Sequence, residues 1–517
     1  MFDTLIIGGR VIDGSGLPAF RADVGLAGDH IKAIGRFDWA RATTRVDATG
    51  LVVAPGLIDA HVHGDLALFA DPAHEPAVRQ GVTTYIVGQD GVAMAPASPA
   101  TLDHMRRYTA GFNGNFPTPG RSWRGIGAYL DCFDRQVAIN VAALVPNGNI
   151  RMEVMGLEQR RPTTDELARM CRLVRDSMEA GAVGLSSGLD YIPSLYADAD
   201  ELTALCAEIA PFDGVYVTHM RGYAPHNIES SMDEVRQIGL GADCAVHISH
   251  FNSLAEQAIP LMDAMERAGV EVTFDLYCYL YGSSILGMIS LPPEAMAGGV
   301  DATLARLRDP GVLPKVREWI ANPRGDLNTV RLGSVPAPAY RHLEGRTLGE
   351  AVQMTGKPMA ELIVELLLAT ETATNAVVPH NPRRTEMDIE ALMRDRRMMA
   401  GSDGIFIGGK PHPRGTGCFA RYLGHYVRSG VWSLEEAIMK CSRHIARRHG
   451  LKDRGLIAEG MAADVIVFDP AAVRDRSTFE DGKALAEGMR EVFVNGAAVL
   501  RGGERTGALR GRGLRRQ

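Results

Sequence analysis

A chain of 517 residues, 46% hydrophobic and 23% charged, has the make-up of a globular enzyme able to bury a large core. Its net charge of −7 gives no electrostatic reason to bind nucleic acid or an anionic membrane, and no uninterrupted apolar segment approaches the roughly 18 residues of a membrane span. The seven cysteines form no C-x-x-C pair and are odd in number, which argues against a disulfide framework and for a reducing compartment, the cytoplasm by default.

The first 55 residues are short apolar runs separated by glycine turns, such as Thr4-Leu5-Ile6-Ile7 and Asp23-Val24-Gly25-Leu26, which predict short β-strands. The amino terminus has no basic region ahead of its brief apolar stretch, so it reads as strand and turn and not as a signal peptide. The run Leu51 to Ala60 ends in His61-Val62-His63. Side chains two apart on a strand point the same way, so these imidazoles converge on one point, a metal-binding geometry. A lone histidine pair would be weak evidence. Three further polar ends of apolar runs strengthen it: His219 after Val215-Tyr216-Val217, His250 after Ala245 to Ile248, and Asp403 after Met398-Met399-Ala400. Parallel α/β barrels gather their chemistry at the C-terminal ends of the strands.

Between these runs lie amphipathic stretches, with Leu167, Met170, Val174 and Met178 in one and Ala255, Ile259, Met262 and Met265 in another. Repeated β-α units imply a parallel sheet buried on both faces. Residues 284–395 lose that rhythm and are expected to be an insertion near the mouth of the site. The C-terminal runs Asp464 to Asp469 and Glu491 to Gly496 return to the style of the first 55 residues. The arginines at 501, 505, 510, 512, 515 and 516 read as a solvated terminus, because the segment is short and carries no interleaved aromatics.

These stretches together resemble the amidohydrolase superfamily, and within it the D-aminoacylase (N-acyl-D-amino-acid deacylase) family. The resemblance rests on Pro55-Gly56-Leu57-Ile58-Asp59-Ala60-His61-Val62-His63, Gly81-Val82-Thr83-Thr84, Gly184 to Tyr191, Thr218-His219-Met220-Arg221, Ile248-Ser249-His250, Gly401-Ser402-Asp403-Gly404, His412-Pro413-Arg414 and Ala463 to Phe468. It spans nearly the whole chain. The fold it implies is α/β: a (β/α)8 TIM-like barrel over 56–452, with the insertion at 284–395, flanked by a small β-sandwich domain built from 1–55 and 453–517. The activity it implies is metal-dependent hydrolysis of an amide C–N bond, most directly that of an N-acyl-D-amino acid. The ion would be Zn²⁺, one or two, with Mn²⁺ or Co²⁺ as substitutes. The expected partners are a small-molecule amide and, in a homo-oligomer, further copies of the chain.

The resemblance places His61, His63, His219 and His250 around the metal and makes Asp403 the proton-transferring residue. A Zn²⁺ ion lowers the pKa of bound water from about 15.7 to near 7 and polarises a carbonyl. No lysine lies between Lys32 and Lys315, so the carboxylated lysine of many amidohydrolases is excluded. Where the D-aminoacylase family has a cysteine after the second strand, this chain has Asp90, which either ligates the metal as a harder donor or caps the next helix. Tyr277, Ser283 and Arg414 match substrate-binding positions. Asn252 stands where the family has a lysine that binds the substrate carboxylate, and Asn147-Gly148 replaces a Gly-His turn, so a neutral or cyclic amide is an alternative substrate class.

Two rival readings remain. Gly184-Leu185-Ser186-Ser187-Gly188 fits a nucleophile elbow, but Pro193 disfavours the helix that an elbow requires. A non-catalytic scaffold would be expected to have lost ligands that persist here. His247, three residues before His250, is expected to face away from the site. His74, His104, His226, His342, His380, His425, His444 and His449 read as surface or capping residues.

Overall fold

The computed structural model describes residues 1–37, 39–116, 118, 123–322 and 325–517. Eight short strands follow the chain as parallel neighbours: Leu57–Asp59, Val82–Val87, Asn140–Ala143 continued by Val145–Pro146, Gly184–Gly188, Val215–His219, Ala245–Ile248, Val272–Leu276 and Met398–Ala400. The third is interrupted at Leu144, whose N–H still donates to Val87. Past the ends of the last and first strands, Ala60 donates to Ala400, Asp403 to His61 and His63 to Gly404, so the eighth strand is tied to the first. Both faces of the strands are covered, which accounts for buried apolar runs such as Val215-Tyr216-Val217.

Helices connect the strands. Thr164–Glu179 starts at a capping box, Thr163 with Glu166, and buries Met170, Val174 and Met178 on the stripe its periodicity predicts. Between the seventh and eighth strands the chain builds a three-stranded antiparallel sheet, Tyr281–Ile285, Asn375–Pro379 and Arg331–Ser334, with several helices packed on a separate core that includes Leu307, Ile320, Leu332, Leu362 and Leu366.

The two chain ends meet in one sheet, where Val465–Phe468 pairs antiparallel with Val52–Pro55. A second sheet of four strands, including Phe2–Ile7 and Asp23–Ala27, lies across a core of Ile6, Val24, Leu26, Val53, Val465, Val467 and Phe493. Val465 and Val467 face that core, while Ile466 and Phe468 enter the core of the parallel array. This strand glues the two parts together, and its unbroken apolar sequence follows from having two buried faces.

The arginine-rich terminus is solvated only in part: Arg501, Arg505 and Arg510 are exposed, but residues 511–516 dock on the body. Gly513 bridges Val141, Leu514 donates to Val141, and Leu514 is buried. Arg512 pairs with Asp29 at 2.8 Å, Arg515 with Asp131 at 2.5 Å and Arg516 with Asp213 at 3.2 Å. Acidic groups already present on the body draw the segment down, which its own composition did not reveal.

Among the described residues no helix is long and apolar enough to cross a membrane.

Candidate metal centre

His61 and His63 extend beyond the first strand, held in strand-like alternation by the bonds to Ala400, Asp403 and Gly404, with Val62 buried in the opposite direction. Their ring centroids lie 5.6 Å apart. Asp90 sits between them and the other two histidines. Its Oδ1 is 3.7 Å from His61 Nε2 and 3.9 Å from His250 Nε2, and its Oδ2 is 3.5 Å from His63 Nε2 and 3.9 Å from His219 Nδ1. Asp403 Oδ1 lies 3.7 Å from His61 Nε2 and 3.2 Å from His63 Nε2. His219 Nδ1 and His250 Nε2 are 2.8 Å apart. Three overlapping triads result, and each could hold a metal ion: His61, His63 and Asp90; Asp90, His219 and His250; and His61, His250 and Asp403.

The residues fit a cation. His61 Nε2 and Asp90 Oδ1 are buried and have no hydrogen-bond partner among the described residues. Their separation is too long for a hydrogen bond, yet atoms so spaced can both reach one ion at bonds of about 2.0–2.2 Å. Asp403 is paired with Arg414, but Asp90 and Asp275 are buried with only histidines as ion-pair partners among the described residues, and with neutral imidazoles they leave negative charge that the interior does not tolerate uncompensated. Without an ion the imidazoles supply the compensation. Burial pulls His61 down, but Asp275, Asp90 and Asp403 outweigh it and hold it at about 10. His63 is likewise pulled down by burial and raised to about 9 by Asp403 and Asp90. Burial and the charge of His219 hold His250 at about 4. Burial would raise Asp90 and Asp403, but His61 and His63 beside Asp90, and Arg414 and His63 beside Asp403, hold both far below the ordinary carboxylate range.

Asp90 (φ 57°), His250 (φ 34°) and Asp403 (φ 49°) all have left-handed backbones, a conformation that non-glycine residues adopt at a cost of order 1–3 kcal/mol each and that concentrates at functional sites. The Asp90 turn is braced from beneath. Ser186 Oγ donates to Gly88 O at 2.5 Å and accepts from Gly91 N, and Gly188 leaves no room for a side chain, since a Cβ there would lie 2.2 Å from Asp90 O. Asp90 therefore does not cap the following helix; Ser98 does. Ser186 is fully buried and occupied by this turn, so the nucleophile-elbow alternative has no exposed hydroxyl.

His247 does not face away. Its Nε2 lies 3.1 Å from Asp275 Oδ2, and the same oxygen is 3.3 Å from His61 Nδ1. Strand alternation fails because the strand ends at Ile248 and His250 turns into the left-handed region, bringing residues three apart to one side. Asp275, fully buried, also accepts from His250 N at 2.9 Å, so one carboxylate orients two of the four histidines. Asp190 Oδ1 lies 3.1 Å from His219 Nε2 and does the same for a third. Neither was singled out in the sequence, although Asp275, the one charged residue of the strand Val272-Thr273-Phe274-Asp275-Leu276, was a usable signal.

A cavity of about 190 Å³ opens on this cluster, lined by His63, Asp90, His219, His250 and Asp403 on one hand and by Phe112, Tyr191, Tyr277, Ser283 and His380 on the other. A larger cavity of about 980 Å³ lies away from these residues, among Arg394, Arg397, Lys440 and Arg448. Tyr277 and Ser283 thus reach the site. Asn252 and Arg414 are not among the lining residues. Asn252 has no side-chain hydrogen-bond partner among the described residues. Arg414 is fully buried, with Nη1 2.8 Å from Asp403 Oδ2 and its guanidinium carbon 4.5 Å from the Tyr277 ring centroid. His412 holds Arg414 in place by accepting from its backbone N–H at 3.0 Å. Of the histidines read as surface or capping residues, His74 and His449 are buried and His380 lines the cavity.

The Amidohydrolase family matches residues 44–312 and 342–500. Over 530 aligned residues the chain is 34% identical to a D-aminoacylase of Alcaligenes xylosoxydans xylosoxydans, covering 100% of this chain and 98% of the relative. The N-acyl-D-glutamate deacylase of Bordetella bronchiseptica, solved with zinc and a phosphonate that mimics the tetrahedral intermediate, superposes with a TM-score of 0.84 at 30% identity, covering 99% of each chain. A D-aminoacylase structure with a binuclear metal centre superposes at 0.82 with 31% identity, covering 100% of both chains.

Proposed function

The chain belongs to the amidohydrolase family and to its D-aminoacylase branch, and from that premise we propose that it is a metal-dependent hydrolase that deacylates N-acyl-D-amino acids or closely related amides. The observation that carries this reading is the pair of donor triads sharing Asp90, with a cavity of about 190 Å³ opening on them. His61, His63, Asp90, His219 and His250 would hold Zn²⁺, as one ion or two. Such an ion supplies Lewis acidity, polarising a carbonyl and making bound water acidic near neutral pH.

The residues do the rest. Arg414 pins Asp403 Oδ2, so that Oδ1 is left facing His61 and His63. Asp403 Oδ1 takes the proton of the attacking water and returns it to the leaving nitrogen, the task of a general base that becomes a general acid. Asp275 and Asp190 keep the far ring nitrogens of His61 and His219 protonated, which leaves the near ones as lone-pair donors. Tyr277 and Ser283 contact the substrate, while Arg414 acts through Asp403.

The eight strands tied last to first support the closed (β/α)8 barrel. The separate cores support a flanking β domain from 1–55 and 453–517 and an insertion over 284–395 within the catalytic domain of 56–452. Free thiols at Cys171, Cys206, Cys244, Cys278, Cys418 and Cys441 support a reducing, cytoplasmic setting.

The test is hydrolysis of paired N-acetyl-D- and L-amino acids, simple amides and cyclic imides before and after chelation. Activity on the D-acids that vanishes on chelation and returns with Zn²⁺ is expected. Full activity in demonstrably metal-free protein would overturn the reading, and activity confined to cyclic imides would replace the substrate class.

A further inference from the structure

Arg384 is 4% exposed, in the segment between the strand Asn375–Pro379 and the helix Glu386–Arg394. Its Nη1 donates to Tyr279 O at 3.0 Å and to His380 Nδ1 at 2.7 Å, both neutral acceptors, and its Nε and Nη2 are buried without a hydrogen-bond partner among the described residues. The acids nearest in sequence are engaged elsewhere. Glu386 accepts from Tyr426 and faces Arg421, and Asp388 accepts from the N–H groups of Thr385 and Ala255 at 2.8 and 3.0 Å. Asp388 and Glu386 act on this guanidinium only through space, and among the described residues no carboxylate lies within ion-pair distance of it, so the buried charge still favours an anion in the cavity.

The hydrogen-bond order leads from that charge into the cavity. Arginine only donates, so His380 Nδ1 must accept and the ring proton sits on Nε2. Nε2 lies 3.0 Å from Tyr277 Oη and therefore donates to it, which leaves the Tyr277 hydroxyl hydrogen free for a ligand. Burial, together with the charge of Arg384, holds His380 well below its ordinary value and keeps it neutral in this role. Tyr277 and His380 both line the cavity beside His63, Asp90 and Asp403. Behind this wall Arg414 is paired with Asp403, whereas Arg384 has no ion-pair partner within bonding distance among the described residues and feels Asp388 and Glu386 only through space.

We propose that Arg384, His380 and Tyr277 form a carboxylate-recognition relay, in which the substrate's carboxylate accepts from Tyr277 and is stabilised by the buried charge of Arg384. Tyr277 touches the substrate; His380 and Arg384 are positioning residues. The relay takes over the task of the cation that this chain lacks at Asn252, and it rests on the deacylase reading for the identity of the substrate.

The test compares an N-acetyl-D-amino acid with its primary carboxamide in wild type, Arg384→Met, His380→Phe and Arg384→Lys, each loaded with Zn²⁺. In the first two variants the ratio of kcat/KM for the acid to that for the amide is expected to fall about 10- to 100-fold, the scale of one charge-assisted bond, with the loss lying in KM. Arg384→Lys should recover part of it. An equal fall for acid and amide, or a fall in kcat alone, would overturn the relay and leave Arg384 a purely structural residue. Calorimetric titration of the same acid and amide into wild type and Arg384→Met separates this from the catalytic reading. If wild type hydrolyses neither compound, the deacylase proposal falls, and binding decides the relay alone: a preference for the acid that Arg384→Met loses supports it, and equal affinities refute it.

Discussion

Replacing Asp275 with asparagine removes one charge and almost no volume, so it isolates what the carboxylate does for the histidines around it. Oδ2 accepts from His61 Nδ1 at 3.3 Å and His247 Nε2 at 3.1 Å, and Oδ1 from His250 N at 2.9 Å. An amide has one oxygen. If that oxygen stays with His250 N, the NH₂ group meets the N–H of His61, and relief requires His61 to move its proton to Nε2. That atom faces Asp90 and Asp403 at 3.7 Å each, so the tautomer change removes His61 as a metal donor. If the amide is reversed, NH₂ meets the His250 N–H instead and strains the left-handed turn there. The first arrangement loses the bonds from both His61 and His247 and the second the bond from His250 N, so at least one hydrogen bond to a charged group is lost, worth about 1.5–3 kcal/mol. Metal affinity should therefore weaken about 10- to 100-fold, the range typical of groups that orient a ligand. The assay is competition for Zn²⁺ against a chromophoric chelator at neutral pH, with circular dichroism confirming the fold and turnover measured at saturating metal. Unchanged Zn²⁺ affinity in a folded Asp275→Asn protein would refute the tautomer argument.

Asp403→Asn should retain metal content, because four histidines and Asp90 remain, and lose about 10²-fold or more in kcat; near-normal turnover would show that Asp403 moves no proton. Asp90→Ala should lower metal occupancy and activity together, whereas Asp90→Cys should keep metal and shift preference toward zinc, both read by elemental analysis after dialysis against mixed divalent ions. His74, buried against Tyr85 Oη at 2.9 Å, is held down at about 3 by burial. Its folded pKa lies below the unfolded value of about 6.5, so the unfolded chain binds the proton first and stability is full above pH 6.5 and falls toward pH 3. His74→Asn should flatten the loss of stability between pH 7 and pH 5 by about 2 kcal/mol, measured by urea unfolding; an unchanged slope would reject His74 as a contributor.

The features legible in the sequence are those set by neighbours along the chain. His61 and His63 share a direction because strand alternation carries through Val62, and Met170, Val174 and Met178 share a face because a helix turns every 3.6 residues. Asp90 could be placed at the rim from the length of its strand, and the turn Gly88 to Gly91 confirms the position. Alternation misled at His247, since it ends where the backbone of His250 turns left-handed, and no local pattern announces that turn. The remaining assignments depend on which distant segments meet. Arg414 reads as a free cation in His412-Pro413-Arg414 and becomes the partner of Asp403 only when the eighth strand's loop and the following helix close on each other. His380 looks like a loop histidine until the antiparallel sheet between the seventh and eighth strands folds against the cavity and sets Tyr277 on one side of the ring and Arg384 on the other. A charge's role depends on the countercharges around it, and those come from segments tens to hundreds of residues away, so tertiary packing settles it where periodicity is silent.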